Sequence, residues 1–100
     1  MRAENGILKG ELKIKGGKLI KCTLELHEGR IKRIKITGDF FMYPEHAIEK
    51  LEKALQNARF QEEEISKKIK EALKGVELIG VAADDFVDVI MNAGYSISAC

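Results

Sequence analysis

Tryptophan is absent from this sequence, proline occurs once, and cysteine, histidine and glutamine occur only twice each. Each scarcity removes a class of protein. Cys22 and Cys100 are too few for a disulfide scaffold and are expected to stay reduced. His27 and His46 lie nineteen residues apart, with no ligand partner at helical spacing beside either, so no metal site is expected. No apolar run approaches the ~20 residues that cross a bilayer, and no apolar stretch follows Met1, so a cytoplasmic protein is expected. The net charge is only +1, without the cationic surplus that displaces counterions from phosphates, and nucleic-acid binding is not expected. Charge is uneven all the same. Residues 1–44 carry ten Lys/Arg against five Asp/Glu, and residues 45–100 carry seven against eleven. Alternating lysines on a strand most simply mark a solvated face.

What is present suits one folded unit. The 100 residues are 45% hydrophobic and 33% charged, a globular composition. A chain of this length buries roughly 60–70% of its unfolded surface, enough for one modest core. We expect a single domain over 1–100, with its core about 8–94 and a tail at 95–100. Abundant Lys, Glu and Ile with little Gln, Pro or Trp is common in heat-adapted proteins.

Strand signals come first. Leu8, Leu12 and Ile14 alternate with Lys9, Glu11 and Lys13; Ile20, Cys22, Leu24 and Leu26 alternate with Lys21, Thr23 and Glu25. Period-two alternation sends one set to a core and the other to water. Gly16 and Gly17 separate the runs and suit a tight hairpin, as does Gly29 before the third run, Ile31–Thr37. Ile31 is out of phase with Ile34 and Ile36, a slip at Lys32-Arg33 for which a bulge is one explanation.

From Pro44, suited to a first helical turn, the period becomes helical through Ile48, Leu51, Leu55 and Ala58. A second helix begins near Gln61, with Glu62–Glu64 at its positive end and Lys67–Lys74 towards its negative end, and Gly75 stops it. A third spans Ala83–Ala93, stopped by Gly94. The tail Tyr95–Cys100 is open between a short extra strand and a frayed end. The fold class is α+β: a three-stranded antiparallel sheet followed by helices packed on one face.

No catalytic constellation emerges. Lys15-Gly16-Gly17-Lys18 resembles a phosphate loop only superficially, because Leu12 and Leu19 occupy the required glycine and Ser/Thr positions. The acid clusters Glu62–Glu64 and Asp84-Asp85 sit at helix starts, where electrostatics alone favours them. Cys22 is inward on a strand, and Ser66, Ser96 and Ser98 lack identifiable partners. The conspicuous feature is Gly38-Asp39-Phe40-Phe41-Met42-Tyr43 before Pro44. If Ile34 and Ile36 point inwards, parity places Gly38 and Phe40 inwards, with Asp39 and Phe41 opposite. Two readings stay open: the four large side chains plug the corner between sheet and helix, or some of them form a partner surface. Asp39 also suits a turn role, receiving backbone N–H groups. The turn glycines are Gly16, Gly17, Gly29 and Gly38.

The order of a strand, EGRIKRIKITGDFF, a short break, an amphipathic helix closing on Ala58-Arg59-Phe60, and a second helix resembles the C-terminal accessory domain of lipoate–protein ligases. The resemblance covers about residues 8–92 and is most specific over Gly29–Phe41 and Leu51–Phe60; VAADDFVDVIM resembles the family's last helix. It implies a fold similar to sulfur-acceptor and iron–sulfur scaffold proteins. In bacterial members the domain follows a catalytic domain, and in some archaeal members it is a separate subunit. With an initial Met and no catalytic domain, the chain is expected to be the separate form, the rival being a piece of a longer ligase. The resemblance implies a non-catalytic subunit supporting ATP-dependent lipoyl-adenylate formation and lipoyl transfer to a carrier-domain lysine. Lipoate, ATP and Mg would be used by the catalytic partner, and this chain would bind no cofactor. The partner surface would comprise Asp39, Phe40, Phe41, Met42 and Tyr43, with Phe41 and Met42 as anchors and Lys/Arg of the wet sheet face contributing steering. The alternatives are a sulfur-transfer or iron–sulfur scaffold protein, which needs accessible thiolates, and a stand-alone interaction module.

Overall fold

The computed structural model describes residues 6–14 and 16–98. Three strands, β1 (Gly6–Lys13), β2 (Leu19–His27) and β3 (Arg30–Gly38), form an antiparallel meander in the order β1-β2-β3. The chain continues through β4 (Phe41–Tyr43), α1 (Ala47–Leu55), α2 (Glu62–Ala72), β5 (Glu77–Ile79) and α3 (Ala83–Ser98). Strands β4 and β5 pair with each other as a separate antiparallel ribbon.

Alternation builds the sheet as expected. Leu8, Ile20, Cys22, Leu24, Leu26, Ile34 and Ile36 are buried on one face, and the helices cover that face. Gly16 and Gly17 turn the first hairpin at φ +89° and +79°. Glu28 and Gly29 turn the second at φ 52° and 77°, the paired left-handed residues of a two-residue hairpin loop. The bulge is present. Glu25 opposes Arg33 and Leu26 opposes Ile31, leaving Lys32 as the extra residue that returns Ile31 to the core.

Helix α3 lies across β1 and β2, α1 packs on β3, and α2 bridges the other two helices. Gly10 governs the closest approach. A Cβ there would fall 2.5 Å from the Val89 carbonyl oxygen and 2.9 Å from the Ala93 nitrogen, so backbone meets backbone where β1 and α3 cross. Gly94 answers a different need: a Cβ there would strike the Phe60 ring. This glycine was expected to stop the third helix, but the helix runs on to Ser98, because the missing side chain makes room for a ring instead of turning the backbone. Residues 95–98 are thus helical rather than an extra strand, and Cys100 lies outside the described residues.

Two other expectations shift. Pro44 precedes α1 instead of opening it, since residues before proline favour extended backbone and Tyr43 uses that preference to complete β4. Helix α1 stops at Leu55, and residues 57–60 run along the free edge of β3. Asn57 donates to the Ile31 carbonyl (2.7 Å), Ile31 to Ala58 (2.9 Å) and Phe60 to Gly29 (2.9 Å). The Glu52 carboxylate accepts the Ile36 N–H at 2.9 Å further along that edge. An edge otherwise open to strand addition is covered.

Replacing Gly10 by Ala forces α3 away from β1, and we expect a loss of about 2–3 kcal/mol. Chemical denaturation would show a lower midpoint with an unchanged slope.

Candidate partner-binding surface

The aromatic corner divides by parity. Phe40 turns inward, half-buried, with its ring edge-on to fully buried Phe86 at a centroid distance of 5.2 Å and an interplanar angle of 83°. Asp39 is exposed and ties β3's end to β2: its N–H donates to the Leu19 carbonyl (3.0 Å), and its carboxylate accepts the Leu19 N–H (3.3 Å). The carboxylate thus receives a backbone N–H as expected, but from the neighbouring strand rather than within an Asp-initiated turn. Gly38 is no left-handed turn residue. It ends β3, where a Cβ would sit 2.6 Å from the Leu19 carbonyl oxygen.

Beyond Asp39 the ribbon takes over. Phe41 opposes Ile79, Met42 opposes Leu78, and Tyr43 opposes Glu77. Opposed residues share a face, and faces alternate along each strand. Met42 is 5% exposed and packs into the core with Leu78, so it is not an exposed anchor. The opposite face carries Phe41 (67% exposed), Tyr43 (50%) and Ile79 (41%), beside the exposed Glu77. Among the described residues the large hydrophobics left exposed are these three and Ile7. Three of the four therefore share one face of a six-residue ribbon. Singly scattered apolar residues need no explanation; a cluster on one face is the pattern of an interaction site.

Chemistry elsewhere is sparse. No polar or charged residue is buried among the described residues, and no group of three His, Cys, Asp or Glu residues is placed to hold a metal. The hollow along α2 is walled by Glu62, Glu63, Ser66, Lys67 and Lys70, an exposed helix face rather than an apolar cleft. Cys22 is 2% exposed, with its Sγ directed at the Val89 carbonyl (3.6 Å). Burial pushes its thiol up to about 11, only partly offset by a hydrogen bond from the Gly10 backbone. Neither access nor thiolate character suits Cys22 to sulfur transfer.

Residues 2–90 match the sequence profile of the bacterial lipoate protein ligase C-terminus. The chain belongs to this family. It is 42% identical over 73 residues to the Lipoate-protein ligase A subunit 2 of Thermoplasma acidophilum, a match covering 72% of this chain and 76% of that protein. It also superposes, with a TM-score of 0.77 and 37% identity, on a chain from the structure of an archaeal lipoylation system, a bi-partite lipoate protein ligase and its E2 lipoyl domain from Thermoplasma acidophilum. That superposition covers 86% of this chain and 96% of the other. In this member of the lipoate ligase C-terminal family the exposed ribbon face draws on two segments far apart in sequence. Of the residues expected on a partner surface, Phe41 and Tyr43 are exposed here while Phe40 and Met42 turn inward, and sequence reading missed Ile79, whose strand is too short for its alternation to signal anything.

Cys22 makes the stability of this lipoate ligase domain pH-dependent. The native state holds the thiol proton more tightly than the unfolded chain, whose value is near 9.0, so the stabilisation is complete below pH 9 and lost as pH rises through 11. We expect a decline of about 2–3 kcal/mol across that window that Cys22→Ala abolishes, read by denaturation at stepped pH. In a Cys100→Ser background, thiol reagents should label Cys22 only after unfolding.

Proposed function

We propose that this chain is the accessory subunit of a two-part lipoate–protein ligase. The observation that carries the reading is the 42% identity to a protein named as a second ligase subunit. In the reaction envisaged, the lipoate carboxylate attacks the α-phosphate of ATP and releases pyrophosphate. A carrier-domain lysine then attacks the adenylate's carbonyl carbon and releases AMP. Lipoate, ATP and Mg are handled by the catalytic subunit, and the acceptor is a lipoyl domain of the kind found in the Thermoplasma system. In this division this chain supplies no reacting atom.

Its contribution is conformational. Adenylation requires two anionic groups held in line within a cleft that excludes water, and geometry there controls the rate. A body docked beside the cleft holds its loops in the competent arrangement without entering the chemistry. No helix among the described residues is long and apolar enough to cross a membrane, and an unpaired Cys22 fits a reducing cytoplasm.

Mixing the purified chain with the catalytic subunit, lipoate and ATP, and measuring lipoyl-adenylate, tests the proposal. The catalytic subunit alone should form on the order of 100-fold less adenylate than the mixture, the penalty of a misarranged site, and this chain alone should form none. Equal turnover by the catalytic subunit alone, or turnover by this chain alone, would contradict it.

A further inference from the structure

We infer that the outer face of the β4–β5 ribbon is the seat of the catalytic subunit, which presents an apolar pocket edged by cationic side chains. This assignment rests on the accessory-subunit reading and adds the surface and its chemistry. Phe41, Tyr43 and Ile79 together expose roughly 300 Å² of apolar surface, comparable to the largest patch on an ordinary monomer. Two rings and a branched aliphatic side chain are the residue types that anchor interface centres, because they bury much area for little lost rotamer freedom. The ribbon's other face is fixed by Met42 and Leu78 in the core, so the patch is held ready rather than formed on binding.

The rim selects the occupant. Asp39 and Glu45 are exposed just before and just after β4, and Glu77 lies across from Tyr43. Lys18 is the cation that reaches the far end, with its Nζ 2.7 Å from where a Cβ on Gly80 would sit. Among the described residues Asp39, Glu45 and Glu77 outnumber Lys18 there, and the surround is acidic. A second copy of this chain would bring the same acidic rim against it, and two such patches supply roughly half of the ~1,200 Å² at which stable interfaces begin. A different protein with a basic rim meets both requirements. Bacterial relatives are ligase C-termini and the Thermoplasma relative is a second subunit, so that protein is the remainder of the ligase.

The test measures affinity for the catalytic subunit from the same organism by calorimetry, with lipoyl-adenylate formation as a parallel readout. Phe41→Ser combined with Ile79→Ser should weaken binding by roughly tenfold or more and reduce adenylate in step, with circular dichroism unchanged. Ile7→Ser, at the exposed apolar residue outside the ribbon, should bind as the native chain does. Glu77→Lys should weaken binding several-fold at low salt, with the difference shrinking at high salt. Native affinity in the double variant would overturn the assignment. So would a native dimer in sedimentation that the same two substitutions dissolve, which would seat a second copy on the patch. A native chain that neither binds the catalytic subunit nor stimulates it would overturn the accessory reading itself, and the seat with it.

Discussion

Burying Met42 against the core is the constraint from which the exposed surface follows. Met42 and Leu78 face each other across the β4–β5 ribbon and point inward, and strand geometry then leaves Phe41, Tyr43 and Ile79 no place but water. Removing the Met42 side chain from solvent contributes about 2 kcal/mol, a sizeable share of what holds a three-residue strand in place. Two-stranded ribbons are marginal alone. This one persists because Met42 on its inner face joins the buried core with Leu78 packed against it, and β4 packs on α1.

The body behind the ribbon is organised to stay still. Gly10 lets α3 rest on β1 backbone to backbone, and Phe60 fills the notch left by Gly94 on the same helix. Residues 57–60 and the Glu52 carboxylate occupy the outer edge of β3. Phe40, edge-on to Phe86, joins the end of the main sheet to α3 immediately before the ribbon begins. A rigid mount of this kind lets the domain position something else without large internal rearrangement, which suits the accessory role proposed.

Much of this was legible in the residues. The meander could be read because Leu8, Ile20, Cys22, Leu24 and Leu26 alternate with charges and glycines mark both turns; even the bulge was one explanation for Ile31 being out of phase. What escaped depended on contacts distant in sequence. Gly94 looks like a helix stop until Phe60 is known to lie against it. Leu78 and Ile79 read as connection because three residues carry no period, and only pairing with β4 makes them a strand. For Met42, continuing the alternation that put Phe40 inward would have put it inward too; reading Phe41 and Met42 as a joint anchor set aside a signal that was present. Tyr43 gave the opposite lesson, since a large ring beside a turn is as readily exposed as buried.

The family places this domain with lipoate ligases, and the ribbon gives that placement a physical handle: an apolar face with an acidic rim on a fixed mount. Amide hydrogen exchange with and without the catalytic subunit examines that handle most directly. The account predicts added protection at residues 41–43 and 77–79, with the outer face of β1–β3 little changed. Protection confined to the sheet, with ribbon amides exchanging as in the free chain, would contradict it.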